Sequence, residues 1–271
     1  MDFFYLYIWV VLCLFSVNYI MVYIQLWRGR SGNNIMQIIR AIHYAIINNH
    51  NLISFKQHQL FNKTQIYLNS SKEDSQNEVK DIFLKKFNIV DPEPYVMKEY
   101  FQEYIAPIFN IKIKNIIENS EILHVHFRGG DIFSKNPHKK YVQPPLLYYE
   151  NIIKSYDNVK LVCEDNKNPC INELLKQSKV SYVSNSLKED LKILLNAQNL
   201  VIGFGTFGFL LYLANPNIKN LYIPQYQFDL LPKGNWGNNI KLHVIDLPNY
   251  TKVGQWNFSD AQRKLMLEYT P

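Results

Sequence analysis

The sequence predicts an α/β fold with parallel sheets, arranged as two lobes that join near residue 118. Three observations predict it. From Ile122 onward, short apolar runs alternate with stretches whose apolar residues recur every three or four positions, as in successive βα units. Two apolar runs pass directly into glycine loops that open apolar helices, at Arg28–Asn34 and at Gly203–Gly208. A third run, Glu121–Phe127, leads into His126-Phe127-Arg128-Gly129-Gly130-Asp131, and in open α/β sheets ligands gather at such carboxyl ends of strands.

Size and composition fit that fold. A chain of 271 residues is long enough for one large domain or two modest lobes. Its 47% hydrophobic and 14% aromatic residues mark a folded chain rather than a disordered one. Lys+Arg exceed Asp+Glu by 29 to 23, a net charge of +6. The lysines are scattered (Lys80, Lys85, Lys86, Lys112, Lys114, Lys139, Lys140) instead of forming a stripe. That pattern favours anionic ligands or membrane surfaces over a nucleic-acid groove. Three cysteines, Cys13, Cys163 and Cys170, do not build a disulfide framework. A Cys163–Cys170 bridge and a buried free Cys163 remain alternatives.

The amino-terminal run has no charge between Asp2 and Arg28, and a transmembrane helix needs about 20 such residues. It divides into a membrane part from Phe3 to Val17, a break at Asn18 and a first strand from Tyr19 to Leu26. Residues 1–17 are thus expected to anchor the chain in a membrane by a single pass. Asp2 in place of a basic residue, and no small-residue cleavage site, argue against a cleaved signal peptide. Sidedness stays open. Arg28 and Arg30 favour a cytosolic body, whereas sequons at Asn62, Asn69, Asn249 and Asn257 permit a luminal one of Golgi or ER type.

The first strand enters Arg28-Gly29-Arg30-Ser31-Gly32-Asn33-Asn34, and Ile35, Ile38, Ile39, Ile42 and Ile46 then define a helix. Backbone donors at such a helix start suit an anion or a sugar hydroxyl. Asn62 to Asp81 reads as polar loop, and Lys98 to Ile117 as mostly helical. After the strand from Ile122 come a helix at Leu146–Ser155, a strand at Val159–Cys163 and a helix at Ile171–Gln177. A strand at Val180–Val183, a helix at Asp190–Ala197 and a buried strand at Asn199–Ile202 follow.

The strand before Arg128 places Leu123, Val125 and Phe127 on one face and His124, His126 and Arg128 on the other. The guanidinium fork of Arg128 suits bidentate binding of a phosphate, and Asp131 is placed to hold that fork. The alternative is a strand-end ion pair with a glycine turn. His124 and His126 share a face, but no third ligand follows at metal spacing. Gly203-Phe204-Gly205-Thr206-Phe207-Gly208 matches the dinucleotide-binding G-x-G-x-x-G. That fingerprint requires an acidic residue about 20 positions on, at the end of the next strand, where Leu221-Tyr222-Ile223-Pro224 has none. A phosphate cradle of backbone amides and the Thr206 hydroxyl needs only the helix start. Trp236 and Trp256 suit either sugar stacking or the core.

Three blocks in order resemble the fucosyltransferase superfamily, nearest to its α1,2-fucosyltransferase-type family. They are Gly29–Asn34, the HxRxGD block His126–Asp131, and Asp190–Phe207 with its acidic residue, helix, strand and Thr-Phe. Val162-Cys163-Glu164-Asp165 resembles the acidic strand end between the last two. The resemblance implies a GT-B-like fold: two Rossmann-like lobes facing a cleft, with residues 18–118 on the acceptor side and 119–250 binding the GDP-sugar. Residues 251–271 would be a tail or helix. It implies an inverting, metal-independent transfer of fucose from GDP-fucose to a hydroxyl of a glycan or glycoconjugate, with no cofactor. It also implies residue roles: Arg128 binds the diphosphate, His126 and Asp190 contact the nucleotide, and Thr206 with nearby amides, those of Gly205 and Phe207 included, binds the distal phosphate. Asp131 supports Arg128, and Arg30 and Asn33 orient donor and acceptor. Gly203 and Gly205 depart from the serines of many relatives. A transferase for another GDP-sugar and a non-catalytic, membrane-anchored glycan- or nucleotide-binding protein remain the alternatives.

Overall fold

The computed structural model describes residues 21–68, 79–80, 90–112 and 121–271. The expected anchor at 1–17 and the expected junction near 118 lie outside them, and among the described residues no helix is long and apolar enough to cross a membrane. Two sheets form the frame. The first has the order β3-β2-β1-β4, from β1 (Met21–Ile24), β2 (Leu52–Phe55), β3 (Gln65–Tyr67) and β4 (Val79–Lys80). It is parallel except for the β2–β3 pair.

The second sheet is built from β5 (Ile122–Phe127), β6 (Asn158–Cys163), β7 (Val180–Val183), β8 (Asn199–Ile202), β9 (Asn220–Pro224) and β10 (Lys241–Ile245). Its order, β10-β9-β8-β5-β6-β7, is parallel throughout. Counted from β5, this is the 3-2-1-4-5-6 winding of a Rossmann-type sheet. The direction of winding reverses between β5 and β8, and ligands of such sheets bind beyond the strand ends at that reversal.

Helix α1 (Ser31–Ile47) follows β1, and α2 (Pro94–Tyr100) passes through a wide turn at Phe101–Ile105 into a tight one at Ala106–Ile108. In the second sheet α3 (Leu146–Ile153), α4 (Pro169–Leu174), α5 (Leu187–Leu194) and α6 (Thr206–Ala214) link successive strands. The short α7 (Gln225–Phe228) and the terminal α8 (Asp260–Glu268) complete the described helices.

One apolar core runs from β1 and α1 through α6 to β8 and β9, so it is continuous between the two sheets. This explains α6, which is apolar nearly all round and buried from Gly208 to Ala214. Its last carbonyls receive donors from α2 and the turn after it. Lys98 Nζ donates to the carbonyls of Tyr212 (3.0 Å) and Asn215 (2.7 Å), and Gln102 Nε2 to that of Leu213 (3.2 Å). Burial lowers the Lys98 pKa to about 8. The second core lies under the opposite face of the larger sheet and gathers Leu123, Val125 and Phe127 with α3, α4, Trp256 and Met266 of α8.

Several expectations change. The alternation along β5 is present, yet His124 and His126 are buried as well, because both faces of a parallel sheet are covered. Ser31 to Asn34, expected as loop, form the first turn of α1. The polar stretch from Asn62 contains β3 and β4. Asp190 lies in the first turn of α5 instead of opening it, because Ser186 caps the helix by accepting the Glu189 N–H. Cys163 and Cys170 are free and buried. Trp236 and Trp256 belong to the two cores.

Candidate functional site

The strand ends at the reversal point open into a cavity of about 560 Å³. Its walls come from both sheets. β1 delivers Trp27 and the turn Gly29–Gly32, β5 delivers His126 and Arg128, β6 delivers Glu164, and the α5 region contributes Asn185 and Asp190. Thr206 and Phe207 at the start of α6 close it.

Contact between the starts of α1 and α6 defines the geometry. A Cβ at Gly32 would stand 2.4 Å from the Thr206 carbonyl carbon and 2.5 Å from the Phe207 nitrogen, so only glycine lets the two helix starts meet. Oxygen Oδ1 of Asn33 accepts the Thr206 hydroxyl at 2.8 Å. The residues at the two helix starts, Arg30 and Gly205, make no side-chain cap, and neither first turn holds an acidic residue. The partial positive charge of each helix start is therefore not offset from its own sequence.

The charged groups form one cluster. Asp131 Oδ1 is 3.2 Å from Arg128 and 3.2 Å from Arg30, and Arg30 also donates to Glu164 Oε2 at 2.9 Å. Arg128 lies over the Tyr141 ring, 5.5 Å from its centroid. Asp165 holds the turn that carries these groups, since its Oδ2 accepts the Gly130 N–H at 3.0 Å. Gly130 has φ +72, and a Cβ there would come within 2.9 Å of Glu164 Oε2.

His126 is neutral. Burial, then the charge of Arg128, lowers its pKa to about 3, and its ring packs 4.8 Å from that of Phe207. Asp190 is also buried, and burial raises its pKa despite two bonds to Oδ1 from Asn185, at 3.2 Å each from backbone N–H and side-chain Nδ2. His58 is fixed as one tautomer: its Nδ1 accepts the Leu60 N–H at 3.2 Å, so Nε2–H faces Asn34 Oδ1 at 3.1 Å.

Of the residues singled out from sequence, Arg30, His126, Arg128, Asp190, Thr206 and Phe207 line this one cavity. Asn33 and Asp131 stand one hydrogen bond or ion pair behind its wall. Gly205 does not line it, and its N–H donates instead to Gln227 Oε1 at 3.0 Å. Its φ of +124 shows what the glycine supplies, a backbone bend that other residues resist. His124 is buried in the sheet away from the cavity, with burial lowering its pKa to about 4. Sequence reasoning missed Trp27, His58, Gln59 and Asn185. Only Asn185 carried a local signal, because it immediately precedes the helix cap Ser186. Among the described residues no group of three or more His, Cys, Asp or Glu side chains is placed to hold a metal ion.

No protein-family model matches the chain, and no curated protein matches it. Among solved structures, E. coli heptosyltransferase WaaC with ADP is similar at TM-score 0.36 and 14% identity, over 68% of this chain and 53% of that one. The same enzyme with ADP-2-deoxy-2-fluoro heptose gives 0.33 and 14%, over 68% and 52%. The chain spans about half the length of these structures.

Proposed function

We propose that the chain is a glycosyltransferase of GT-B-like architecture using a nucleoside-diphosphate sugar, with GDP-fucose the donor that the sequence resemblance implies. The acceptor is a hydroxyl of a glycan or glycoconjugate, and the amino-terminal segment anchors the enzyme in a membrane. One observation carries the reading: two uncapped helix starts and two arginines converge on a single cavity at the reversal of a Rossmann-type sheet. Backbone N–H groups at helix starts bind phosphate, and guanidinium groups bind it in bidentate fashion. Departure of the diphosphate builds charge on its distal phosphate. Arg128, aided by Arg30 and the start of α6, stabilises that charge without a metal, in a site already organised for it. Asp190, oriented by Asn185, accepts N–H groups of the base, which selects guanine over adenine or uracil.

The dinucleotide alternative is weaker, because Gly203–Gly208 follows β8, the fourth strand of the winding, whereas the fingerprint belongs after the first. Thermal-shift titration with GDP, UDP, ADP and NAD separates the readings. GDP should stabilise the protein, by about 2.7 kcal/mol at a hundredfold excess over Kd. Stabilisation by NAD alone would replace the transferase with an oxidoreductase. GDP release from GDP-fucose across a panel of glycan acceptors, with and without chelator, tests the chemistry. Binding without release on any acceptor would leave a non-catalytic binding protein.

A further inference from the structure

The proposed transfer needs a group to take the acceptor's proton, and the cavity walls restrict the choice. Apart from the two arginines, the ionisable side chains lining it are His58, His126, Cys163, Glu164 and Asp190. In His58 the one unprotonated nitrogen already accepts the Leu60 N–H. Protonating His126 would bury a second cation against Arg128. The Cys163 thiol is pushed up to about 12 by burial and points its proton at the Val183 carbonyl. Asp190 belongs to α5 and is tied on Oδ1 by both Asn185 donors.

Glu164 differs in place and in bonding. β6 pairs in register with β5, Cys163 opposite Phe127, so Glu164 and Arg128 leave the sheet side by side. Its side chain is 53% exposed. Oε2 accepts from Arg30 at 2.9 Å in an exposed ion pair. Gly130 leaves the room this carboxylate occupies. This carboxylate bonds one guanidinium and stands beside the second, Arg128, to which the proposed transfer assigns the departing phosphate.

We propose that Glu164 is the general base of the transfer, an inference that rests on the glycosyltransferase reading above. The acceptor O–H gives its proton to a Glu164 carboxylate oxygen as the acceptor oxygen bonds to the anomeric carbon. The bond from that carbon to the distal phosphate breaks, and its electron pair leaves on the phosphate oxygen held by Arg128. The carboxylic acid then releases its proton to water.

The test is steady-state kinetics of the full chain against pH, with GDP binding measured alongside. Glu164→Gln keeps an oxygen for Arg30 but no basic carboxylate. We expect kcat to fall by about 10²–10⁴-fold, GDP affinity to hold, and the acid limb of the pH profile to vanish. Glu164→Asp should keep the acid limb at reduced kcat, which a mere anchor for Arg30 does not require. A Gln variant with wild-type turnover, or a slower one that retains the acid limb, overturns the inference while leaving the transferase reading in place. If the Gln variant does not fold, an Asp variant with wild-type kcat overturns it equally. A wild-type chain that neither binds GDP nor transfers sugar removes both.

Discussion

Two strand-to-helix turns meet at the cavity and are built differently. The turn from β1 into α1 brings charge, with Arg28 and Arg30 around Gly29 and a pair of asparagines in the first helical turn. The turn from β8 into α6 brings none. It contributes shape, through Gly205 at φ +124 and an apolar helix that locks into the core shared by both sheets. The first turn is held by ion pairs and hydrogen bonds: Arg30 to Asp131 and Glu164, and Asn34 Nδ2 to the Arg28 carbonyl at 3.1 Å. The second is held by packing and by one glutamine, Gln227, which binds both the N–H and the carbonyl of Gly205. The site thus takes charge from the β1 turn and from the ends of β5 and β6, and shape from the start of α6.

The largest test of that division removes charge. Arg128→Ala should lower kcat about 10²–10³-fold, the usual loss for one donor to a developing anion. Its melting temperature should stay close to wild type. Arg30→Ala should lose less, because its side chain is 51% exposed against 14% for Arg128 and water screens it. Equal losses measured by GDP release would erase the proposed ranking of the two.

The next pair tests shape. Gly32→Ala would drive a methyl group into the Thr206–Phe207 backbone, which has little freedom to yield. Overpacking of this kind costs about 1–3 kcal/mol, and GDP binding should weaken as the helix starts part. Gly205→Ala meets no atom within 4 Å, so it reports backbone strain alone, about 1–3 kcal/mol at a φ and ψ that glycine almost alone adopts. Urea midpoints compare them. If Gly205→Ala proved the more damaging, dihedral strain and not close approach would organise this junction.

The same two turns show how much the sequence revealed. Both glycine loops and the strand before Arg128 were legible, because period-two and period-3.6 patterns are local properties. The β5, β7 and β8 spans fell within a residue of their expected bounds for the same reason. β3 and β4 were not, since strands of three and two residues in polar surroundings carry no period. Within the site, the residues of the three motifs were legible and most of those on intervening loops were not. His58 sits in no motif. It reaches the cavity because Asn34, 24 positions earlier, bonds its ring, a pairing that only the fold creates. The pattern around Gly205 shows that glycine is needed there, but not that its N–H donates to Gln227, 22 positions on.

The smallest expected effect lies in a side-chain hydrogen bond between the two turns, from the Thr206 hydroxyl to Asn33 Oδ1 at 2.8 Å. It is solvent-exposed, so its net worth should be only about 0.5–1.5 kcal/mol. A double-mutant cycle with Asn33→Ala and Thr206→Val isolates it. If the bond merely ties the turns together, the coupling should appear equally in urea stability with and without GDP. If Thr206 turns its proton toward a bound phosphate, as the proposed donor site requires, the coupling should vanish once GDP is present. Asn33→Ala alone should then weaken the free protein more than the complex. Coupling that persists undiminished in the GDP complex would assign Thr206 to the junction and remove it from the phosphate site.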